Sequence, residues 1–306
     1  MEALVRTENL ARRFGPVEAV CDLALEVRRG EVFALLGPNG AGKTTALRTI
    51  VNVLEPTAGR AEVRGVDSQR LGPSQLQRIG YVSESQELPD GLSGAEMLAF
   101  LRPLYPTWDD VFARELASQF RLPLARRLGQ LSRGMRMKTA LVSSLAYRPE
   151  LLLLDEPFAG LDPLVRDEVI DGVLALGDRE GWTVLLCSHD VDEVERLAGR
   201  VGILNQGRLV LVEETESLLA RYRTVETVLQ TPEQPTPTLP ESWSEVQRIG
   251  RTLRFVESRY DQTRTGGDLR RLFPGSSGLA ASPMSLRAIF VTLARQFRLF
   301  DEGGAA

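Results

Sequence analysis

The loop Gly37–Thr45, with the sequence GPNGAGKTT, combines residue types and a spacing that suit the binding of phosphate groups. The positions that fit the pattern G-x-x-x-x-G-K-[ST] are Gly37, Gly42, Lys43 and Thr44. Glycines allow the backbone to curl so that successive N–H groups point at phosphate oxygens, and a helix that follows adds its positive N-terminal end. The lysine would neutralise the β- and γ-phosphates, and the threonine hydroxyl would ligate Mg²⁺. The loop therefore predicts a site for ATP with Mg²⁺.

Two acidic residues, Asp155 and Glu156, follow the apolar run LLLL at 151–154. This run lies between Pro149 and Pro157 and predicts a strand that is buried on both faces, as parallel sheets require. An acidic pair after a strand is more often the start of a solvated loop, but the phosphate loop in the same chain favours a functional interpretation. Side chains at the carboxyl ends of parallel strands meet the nucleotide crevice. We therefore expect Asp155 to hold Mg²⁺ through water and Glu156 to orient or deprotonate the attacking water.

The single histidine of the chain, His189, follows the apolar run TVLLCS at 183–188. This run predicts the next strand, which places the histidine one strand–helix–strand step beyond Asp155 and at the same edge of the sheet. From that edge its side chain could reach the γ-phosphate and the attacking water. A single histidine is usually a structural or surface residue, and its position at this edge is what favours a catalytic role.

The elements that would hold these residues alternate between strands and helices over about residues 1–215. The run EVFALLG at 31–37 predicts the strand before the phosphate loop, and helical apolar spacing follows the loop. Asp162 and Pro163 are typical of an N-cap and first helical position, and Gly181 is typical of a helix end. The βαβ order predicts an α/β fold with a parallel sheet.

Two further regions depart from this alternation. A helical insert is predicted over about 94–147, and the character of the chain changes beyond about 215. The proline-rich stretch 231–242 predicts a linker or extended loop. The segments around it predict a small β-rich appendage that ends in a helix over 285–297. Residues 216–306 are therefore predicted to form an accessory α+β region.

Composition limits the class of protein. The chain has 306 residues, 43% of them hydrophobic and 25% charged, which is typical of a soluble globular protein. A net charge of −4 argues against a nucleic-acid binder that relies on bulk positive charge, so we expect no nucleic-acid partner. Cys21 and Cys187 form no CxxC pattern and suggest a reducing compartment. No apolar run approaches the roughly 20 residues that span a bilayer, and the N-terminus is not typical of a signal peptide. We expect a cytoplasmic chain whose membrane role, if any, comes through a partner.

Over about residues 1–215 the motifs resemble the nucleotide-binding domain of ABC transporters. The phosphate loop is similar to the Walker A motif of that family, and LLLLDE is similar to its Walker B strand. AGLD at 159–162 is similar to the D-loop, SHD at 188–190 to the H-switch, and LSRGM at 131–135 to the signature. The motifs occur in the order of the family. The resemblance implies a P-loop NTPase fold of the ABC type, with a helical subdomain over about 94–147 and the small β-rich C-terminal appendage.

The resemblance also implies roles for individual residues. Phe14 occupies the place of the aromatic residue that stacks on adenine, and Glu84 lies at the Q-loop position. The implied catalytic residues are Glu156 and His189, and Asp162 lies in the D-loop. The implied metal ligands are Thr44, Asp155 and Glu84. The implied ATP-binding residues are Phe14, Val20, Gly37, Pro38, Asn39, Gly40, Ala41, Gly42, Lys43, Thr44, Thr45 and Glu84.

In this family the signature acts on ATP that is bound to a different nucleotide-binding domain. The signature residues of this chain are Ser132, Arg133, Gly134 and Met135. Ser132 is a natural N-cap for the helix toward Tyr147, and Gly134 allows backbone N–H groups to approach an anion closely. Two such domains close head-to-tail around two ATP molecules. The resemblance therefore implies a second nucleotide-binding domain as partner, which is either an identical copy or a paralogue.

Four residues depart from the pattern of the family. Arg133 replaces a glycine, Met135 and Glu84 replace glutamines, and Phe14 replaces a tyrosine. The backbone donors of the signature survive, whereas Met135 loses a side-chain contact and Glu84 adds negative charge beside Mg²⁺. No catalytic group is missing, so we expect ATP hydrolysis with an altered rate or altered pairing. A site that does not hydrolyse ATP is the alternative.

The signature LSRGMRMK, the stretch YPTWDD at 105–110 and the C-terminal helix resemble ATPase subunits of ABC-2-type bacterial exporters. In those systems the permease is a separate polypeptide, which implies a motor subunit that is peripheral on the inner face of the cell membrane. Leu88, Leu92 and Tyr105 are candidates for an exposed contact with the permease. An ABC protein that acts on ribosomes would normally carry two Walker A motifs in one chain. The main alternative is a soluble ABC ATPase with a regulatory, non-transport role.

Overall fold

The computed structural model describes residues 2–231 and 237–303. The chain divides into two compact units, Met1–Val212 and Glu213–Ala306. Part of the stretch that the sequence predicts as a linker, residues 232–236, lies outside the described residues.

The first part of the chain alternates between strands and helices. Its strands are β1 (Ala3–Phe14), β2 (Val17–Arg28), β3 (Val32–Leu36), β4 (Ala58–Val63), β5 (Val66–Asp67), β6 (Ile79–Ser83), β7 (Leu151–Asp155), β8 (Thr183–Ser188), β9 (Arg200–Asn205) and β10 (Arg208–Glu214). Its α-helices are α1 (Lys43–Ile50), α2 (Pro73–Leu76), α3 (Gly94–Leu101), α4 (Asp110–Gln119), α5 (Arg133–Leu145), α6 (Pro163–Glu180) and α7 (Val191–Leu197).

Two sheets organise these strands. One is a four-stranded sheet in the order β2-β1-β4-β5, in which the neighbours pair antiparallel. The other has the order β10-β9-β3-β8-β7-β6, and β9, β3, β8, β7 and β6 pair in parallel. Every residue of β7 and β8 is buried, as expected for parallel strands that are covered on both faces. The predicted α/β fold of the P-loop type is confirmed.

The register of the parallel strands brings their carboxyl ends to one edge of the sheet. Ser83 at the end of β6 pairs with Asp155, and Leu36 at the end of β3 pairs with Ser188. Because the residues that follow these strands leave the sheet together, Glu84 and His189 are both directed to the edge where the phosphate loop begins.

The segment between β6 and β7 holds α3, α4 and α5, and local sequence explains where each helix begins. The Ser93 hydroxyl accepts a hydrogen bond from Glu96 N at 3.2 Å, and Asp109 Oδ1 accepts one from Val111 N at 2.9 Å. Ser132 Oγ accepts from Met135 N at 3.3 Å. Side-chain oxygens at these positions satisfy N–H groups that have no partner within the helix. The prediction that Ser132 caps a helix is confirmed.

The prediction that Leu88 and Tyr105 are exposed is wrong. Leu88 is only 5% exposed, and the Tyr105 ring stacks on the buried Tyr147 with their centroids 3.8 Å apart. Leu92 is half-buried. Apolar spacing in a loop does not show which side chains fold back onto the domain. In this segment the large apolar side chains that are exposed are Phe100, Leu104 and Val111.

The second unit contains a separate sheet. Its strands are β11 (Arg223–Val228), β12 (Trp243–Ile249), β13 (Thr252–Glu257) and β14 (Ser277–Pro283), and its helices are α8 (Thr215–Arg221), α9 (Gln262–Leu272) and α10 (Leu286–Gly303). The strands pair antiparallel in the order β12-β13-β11-β14. In its core the Trp243 ring stacks on Phe255 at 3.8 Å, and the indole N–H donates to the buried Glu257 carboxylate at 2.7 Å. In the described part of the chain, no helix combines the length and the apolar character that crossing a bilayer requires.

Candidate nucleotide-binding site

The phosphate loop is held between two strands at positions where only glycine fits. An ideal Cβ on Gly42 would lie 2.1 Å from Ala19 O, and one on Gly37 would lie 2.4 Å from Leu204 O. Gly42 also has a φ of +101°, which disfavours residues with a side chain. The backbone can therefore approach its neighbours closely and curl toward a phosphate, as the sequence pattern predicts.

Val20 does not fit the role that the resemblance implies for it. Its side chain is fully buried in the apolar core and is not available to a nucleotide. An ideal Cβ on Gly207 would lie 3.2 Å from Val20 Cα, and Gly207 N donates to Ala41 O at 2.9 Å. Val20 thus supports the phosphate loop from within the core.

The other predicted residues of the loop differ in exposure. Pro38, Asn39 and Gly40 are exposed, whereas Ala41 is buried and Thr45 is half-buried. Phe14, at the end of β1, is 43% exposed, and the Arg12 guanidinium lies 4.6 Å from the centre of its ring. An aromatic side chain with this exposure is available for stacking on a base.

Lys43 is buried, and its ammonium group contacts three oxygen atoms. It donates to Gly37 O at 2.7 Å and to Pro38 O at 3.2 Å, and it lies 3.1 Å from Glu156 Oε1. These contacts match the three donors of an ammonium group. A phosphate that enters the loop would compete with these three oxygens for the ammonium group of Lys43.

Asp155 and Thr44 present oxygens that suit a magnesium ion. Thr44 Oγ1 donates to Asp155 Oδ1 at 2.7 Å, and the Tyr81 hydroxyl donates to Asp155 Oδ2 at 3.2 Å. Burial raises the pKa of the Asp155 carboxyl, and the hydrogen bond from Thr44 works against that effect. Among the described residues, no group of three or more His, Cys, Asp or Glu side chains is placed to hold a metal ion. Two oxygens from the protein nonetheless fit Mg²⁺, which usually takes its other ligands from phosphates and water.

Glu156 is held in an uncommon backbone conformation. Its φ is +52°, in the left-handed region that residues other than glycine rarely adopt. The conformation is fixed because Glu156 N donates to Cys187 O on the neighbouring strand at 2.9 Å. Strain of this kind persists only where the surroundings impose it, and it concentrates at functional sites.

His189 contacts Glu156 through both its backbone and its side chain. Its backbone N–H donates to Glu156 Oε2 at 3.2 Å, and its Nδ1 lies 2.7 Å from the same oxygen. The prediction that these residues share one edge of the sheet is confirmed. Glu156 is thereby held between the Lys43 ammonium on one oxygen and His189 on the other.

The signature residues surround the first turn of α5. Ser132 and Arg133 are exposed, Met135 is half-buried and Gly134 is buried. An ideal Cβ on Gly134 would lie 2.6 Å from Val165 Cγ1 on α6. The structure therefore gives this glycine a packing role, beside the approach to an anion that the sequence suggests. Asp162 caps α6 by accepting from Val165 N at 3.0 Å.

Glu84 contacts both the Walker B strand and the signature. Its backbone N–H donates to Asp155 O at 3.0 Å, and its Oε1 accepts from Arg133 Nη2 at 2.5 Å. A cavity of about 260 Å³ adjoins these groups. It is lined by Asn39, Glu84, Glu156, Ala159, Gly160, Arg166, His189, Asp190 and Glu193.

Sequence reasoning missed three residues of this region. Tyr81 supports Asp155, and Arg166 pairs with both Asp190 at 3.0 Å and Glu193 at 3.2 Å. Burial, and next the negative charge of Asp190, raise the pKa of Glu193 to about 7. Tyr81, Arg166 and Glu193 lie outside the motifs, and only the folded chain brings Arg166 and Glu193 to the cavity and Tyr81 to Asp155.

Comparison with known proteins places these motifs in a family. The sequence model described as "ABC transporter" matches residues 20–159. The chain is 37% identical over 224 residues to the daunorubicin resistance ATP-binding protein DrrA3 of Streptomyces coeruleorubidus, covering 72% of this chain and 71% of the relative. It is 38% identical over 214 residues to the sulfate/thiosulfate import ATP-binding protein CysA of Xylella fastidiosa (strain 9a5c), covering 67% of this chain and 61% of the relative.

Solved structures agree with this assignment. The solved ATP-binding subunit of an ABC transporter superposes with a TM-score of 0.64 at 26% identity, covering 71% of this chain and 92% of that one. The relatives include both a resistance ATP-binding protein and an import ATP-binding protein.

Proposed function

This chain belongs to the ABC transporter ATP-binding proteins, and we propose that it is the motor subunit of an exporter with a separate permease. As a member of this family it binds and hydrolyses ATP. The proposed mechanism rests on the position of Glu156, which lies between Lys43 and His189 and next to the Thr44–Asp155 pair.

The contacts of Lys43 suggest the order of events in the site. Phosphate binding draws the ammonium away from Glu156 Oε1, which leaves that oxygen free to accept a proton from water. His189 keeps the other oxygen in place. Mg²⁺, bound by Thr44 and Asp155, would neutralise charge on the phosphate oxygens. Phe14 would stack on the adenine ring.

We further propose that two nucleotide-binding domains close around ATP. The exposure of Ser132 and Arg133 supports this step, because both reach the surface beside the cap of α5. The ATP-binding subunit then couples closure to the permease, since bound nucleotide favours the closed state. ATP turnover resides in about residues 1–215, and about residues 216–306 form an accessory α+β region.

The permease contact that we propose lies on the helical subdomain, over about 94–147. Phe100 and Val111 are 65% and 57% exposed there, and Leu104 is 49% exposed. Exposed large apolar side chains mark protein–protein contacts where they form a contiguous patch, and three such side chains lie in this subdomain. This contact would place the chain on the inner face of the cell membrane. The direction of transport rests on the resemblance of the signature and C-terminal helix to ABC-2-type exporters.

Two experiments test the proposal. Glu156→Gln should bind ATP without hydrolysing it and should accumulate as an ATP-bound dimer in size-exclusion chromatography. A variant that stays monomeric at saturating ATP would contradict the closure of two copies. Affinity purification from detergent-solubilised membranes should recover a multi-span membrane protein with the wild-type chain. Recovery of the chain alone would instead favour the regulatory, non-transport role.

A further inference from the structure

Two residues that depart from the family pattern form a contact with each other. Glu84 takes the place of a glutamine and Arg133 the place of a glycine, and they lie 49 positions apart in the chain. In the structure Arg133 Nη2 donates to Glu84 Oε1 at 2.5 Å. The added negative charge and the added positive charge therefore form one ion pair.

The Arg133–Glu84 pair lies at the rim of the cavity beside Glu156. Glu84 is anchored because its backbone N–H donates to Asp155 O at 3.0 Å. The Arg133 guanidinium lies against Gly160, where an ideal Cβ would be only 2.2 Å from Nη1. Gly160 thus leaves room for the guanidinium, and Glu84 and Gly160 both line the cavity. The first residue of α5 is thereby joined to the residue that follows β6.

Each carboxylate that lines the cavity has a cation close to it. Lys43 lies 3.1 Å from Glu156, and Arg166 pairs with both Asp190 and Glu193. Glu84 has Arg133. A carboxylate oxygen at this position is also a ligand of the kind that Mg²⁺ prefers, whereas a guanidinium and a metal ion cannot both occupy the same oxygen. Mg²⁺ would take Glu84 as a ligand only by displacing Arg133 from that oxygen.

The Arg133–Glu84 ion pair is weak enough for a divalent cation to replace the arginine. The side chain of Arg133 is 53% exposed and that of Glu84 is 45% exposed. Exposed ion pairs contribute about 0.2–1 kcal/mol and are screened by salt. An interaction of this size holds the two groups together without preventing a divalent ion from replacing the arginine.

We propose that Arg133 is a resident counter-ion of Glu84 that Mg²⁺ must displace when the nucleotide binds. Displacement frees the first residue of α5, so that loading of one site with Mg²⁺ and ATP makes a cationic side chain available at the signature. The available Arg133 would then meet the γ-phosphate in the second domain. That last step rests on the proposed function, because only a closed pair brings a second nucleotide to the signature.

A Mg²⁺ titration on variants of the full chain tests the competition. A fluorescent, non-hydrolysable ATP analogue reports binding, and the Mg²⁺ concentration at half-saturation is measured. Arg133→Ala should lower that concentration about two- to fivefold, because Glu84 loses its competing cation. Glu84→Gln should raise it. Adding Arg133→Ala to Glu84→Gln should change nothing further, and higher salt should reduce the effect of Arg133→Ala.

The double variant separates competition from a general effect of charge. If Arg133→Ala acted only by removing a positive charge near the site, it would strengthen Mg²⁺ binding equally in the wild-type and Glu84→Gln backgrounds. Equal effects in both backgrounds, no effect, or weaker Mg²⁺ binding in Arg133→Ala would each overturn the proposal. Arg133→Gln repeats the measurement with a polar side chain in case Arg133→Ala folds poorly.

A matched control comes from the Arg60–Glu8 pair. These side chains are 55% and 48% exposed and lie 2.9 Å apart, between the antiparallel strands β4 and β1. Arg60→Ala and Glu8→Gln should leave the Mg²⁺ dependence unchanged. The titration is made at protein concentrations low enough that light scattering shows a monomer at every Mg²⁺ concentration, and it involves no hydrolysis or permease. Its result is therefore independent of whether the chain forms an ATP-bound dimer or drives transport.

Discussion

Gly134→Ala tests whether the signature glycine serves the packing of α5 against α6. An added Cβ would lie 2.6 Å from Val165 Cγ1, and the branched valine cannot rotate away freely. Overpacking of this kind costs about 1–3 kcal/mol. For a unit of this size each kcal/mol lowers the melting temperature by about 2–4 °C. We therefore expect Gly134→Ala to melt about 2–12 °C below the wild type.

Thermal unfolding followed by circular dichroism measures this loss, and Val165→Ala isolates its cause. In the Val165→Ala background the clash is absent, so Gly134→Ala should cost little there. Gly177→Ala is the matched control, because Gly177 lies in α6 and an added Cβ meets no atom within 4 Å. That variant should be neutral or slightly more stable. An equal loss from Gly134→Ala with and without Val165 would refute the packing argument.

Three further outcomes are expected. His189→Ala should abolish ATP turnover and preserve ATP binding, because His189 holds the Glu156 carboxylate in place. Near-normal turnover would show that His189 is a surface residue without a catalytic role. Folding raises the pKa of Glu193 from 4.5 to about 7, so the folded chain binds this proton more tightly and stability falls as pH rises between those values. Glu193→Gln should remove this loss in the free energy of unfolding, which is roughly 3 kcal/mol at most and is measured by urea unfolding at pH 5 and 8. A pH dependence equal to that of the wild type would contradict this prediction. Phe100→Ser with Val111→Ser should reduce co-purification of the membrane partner while leaving basal ATP turnover unchanged, and undiminished recovery would exclude this surface.

The parts of the fold that the sequence predicts are those that local patterns determine. The buried run at 151–154, the cap at Asp162 and the glycine spacing of the phosphate loop each impose one conformation on a short segment. Sheet order then brings Glu156 and His189 together, since parallel strands end at a common edge. For this reason local patterns and strand order are sufficient to predict the catalytic edge.

Contacts between distant segments could not be predicted in this way. The positive φ of Glu156 depends on a hydrogen bond from its backbone N–H to Cys187 O. Burial of Leu88 and Val20 depends on which segments fold over them. The strand β14 has small residues, with the sequence SGLAASP, and lacks the apolar alternation that marks a strand. Pairing of Arg133 with Glu84 requires α5 to lie beside the end of β6, which no local pattern encodes.

Steady-state ATP hydrolysis by Glu156→Gln separates water activation, which we assign to this carboxylate, from nucleotide binding, which we assign to other residues. General base catalysis contributes about 10²–10⁴-fold, so turnover should fall by at least about 100-fold. ATP affinity, measured by fluorescence with the same protein, should change only severalfold, since Lys43 and Thr44 remain. Turnover close to that of the wild type would refute the role of Glu156 in water activation, and so would a loss of ATP binding large enough to explain the lost turnover.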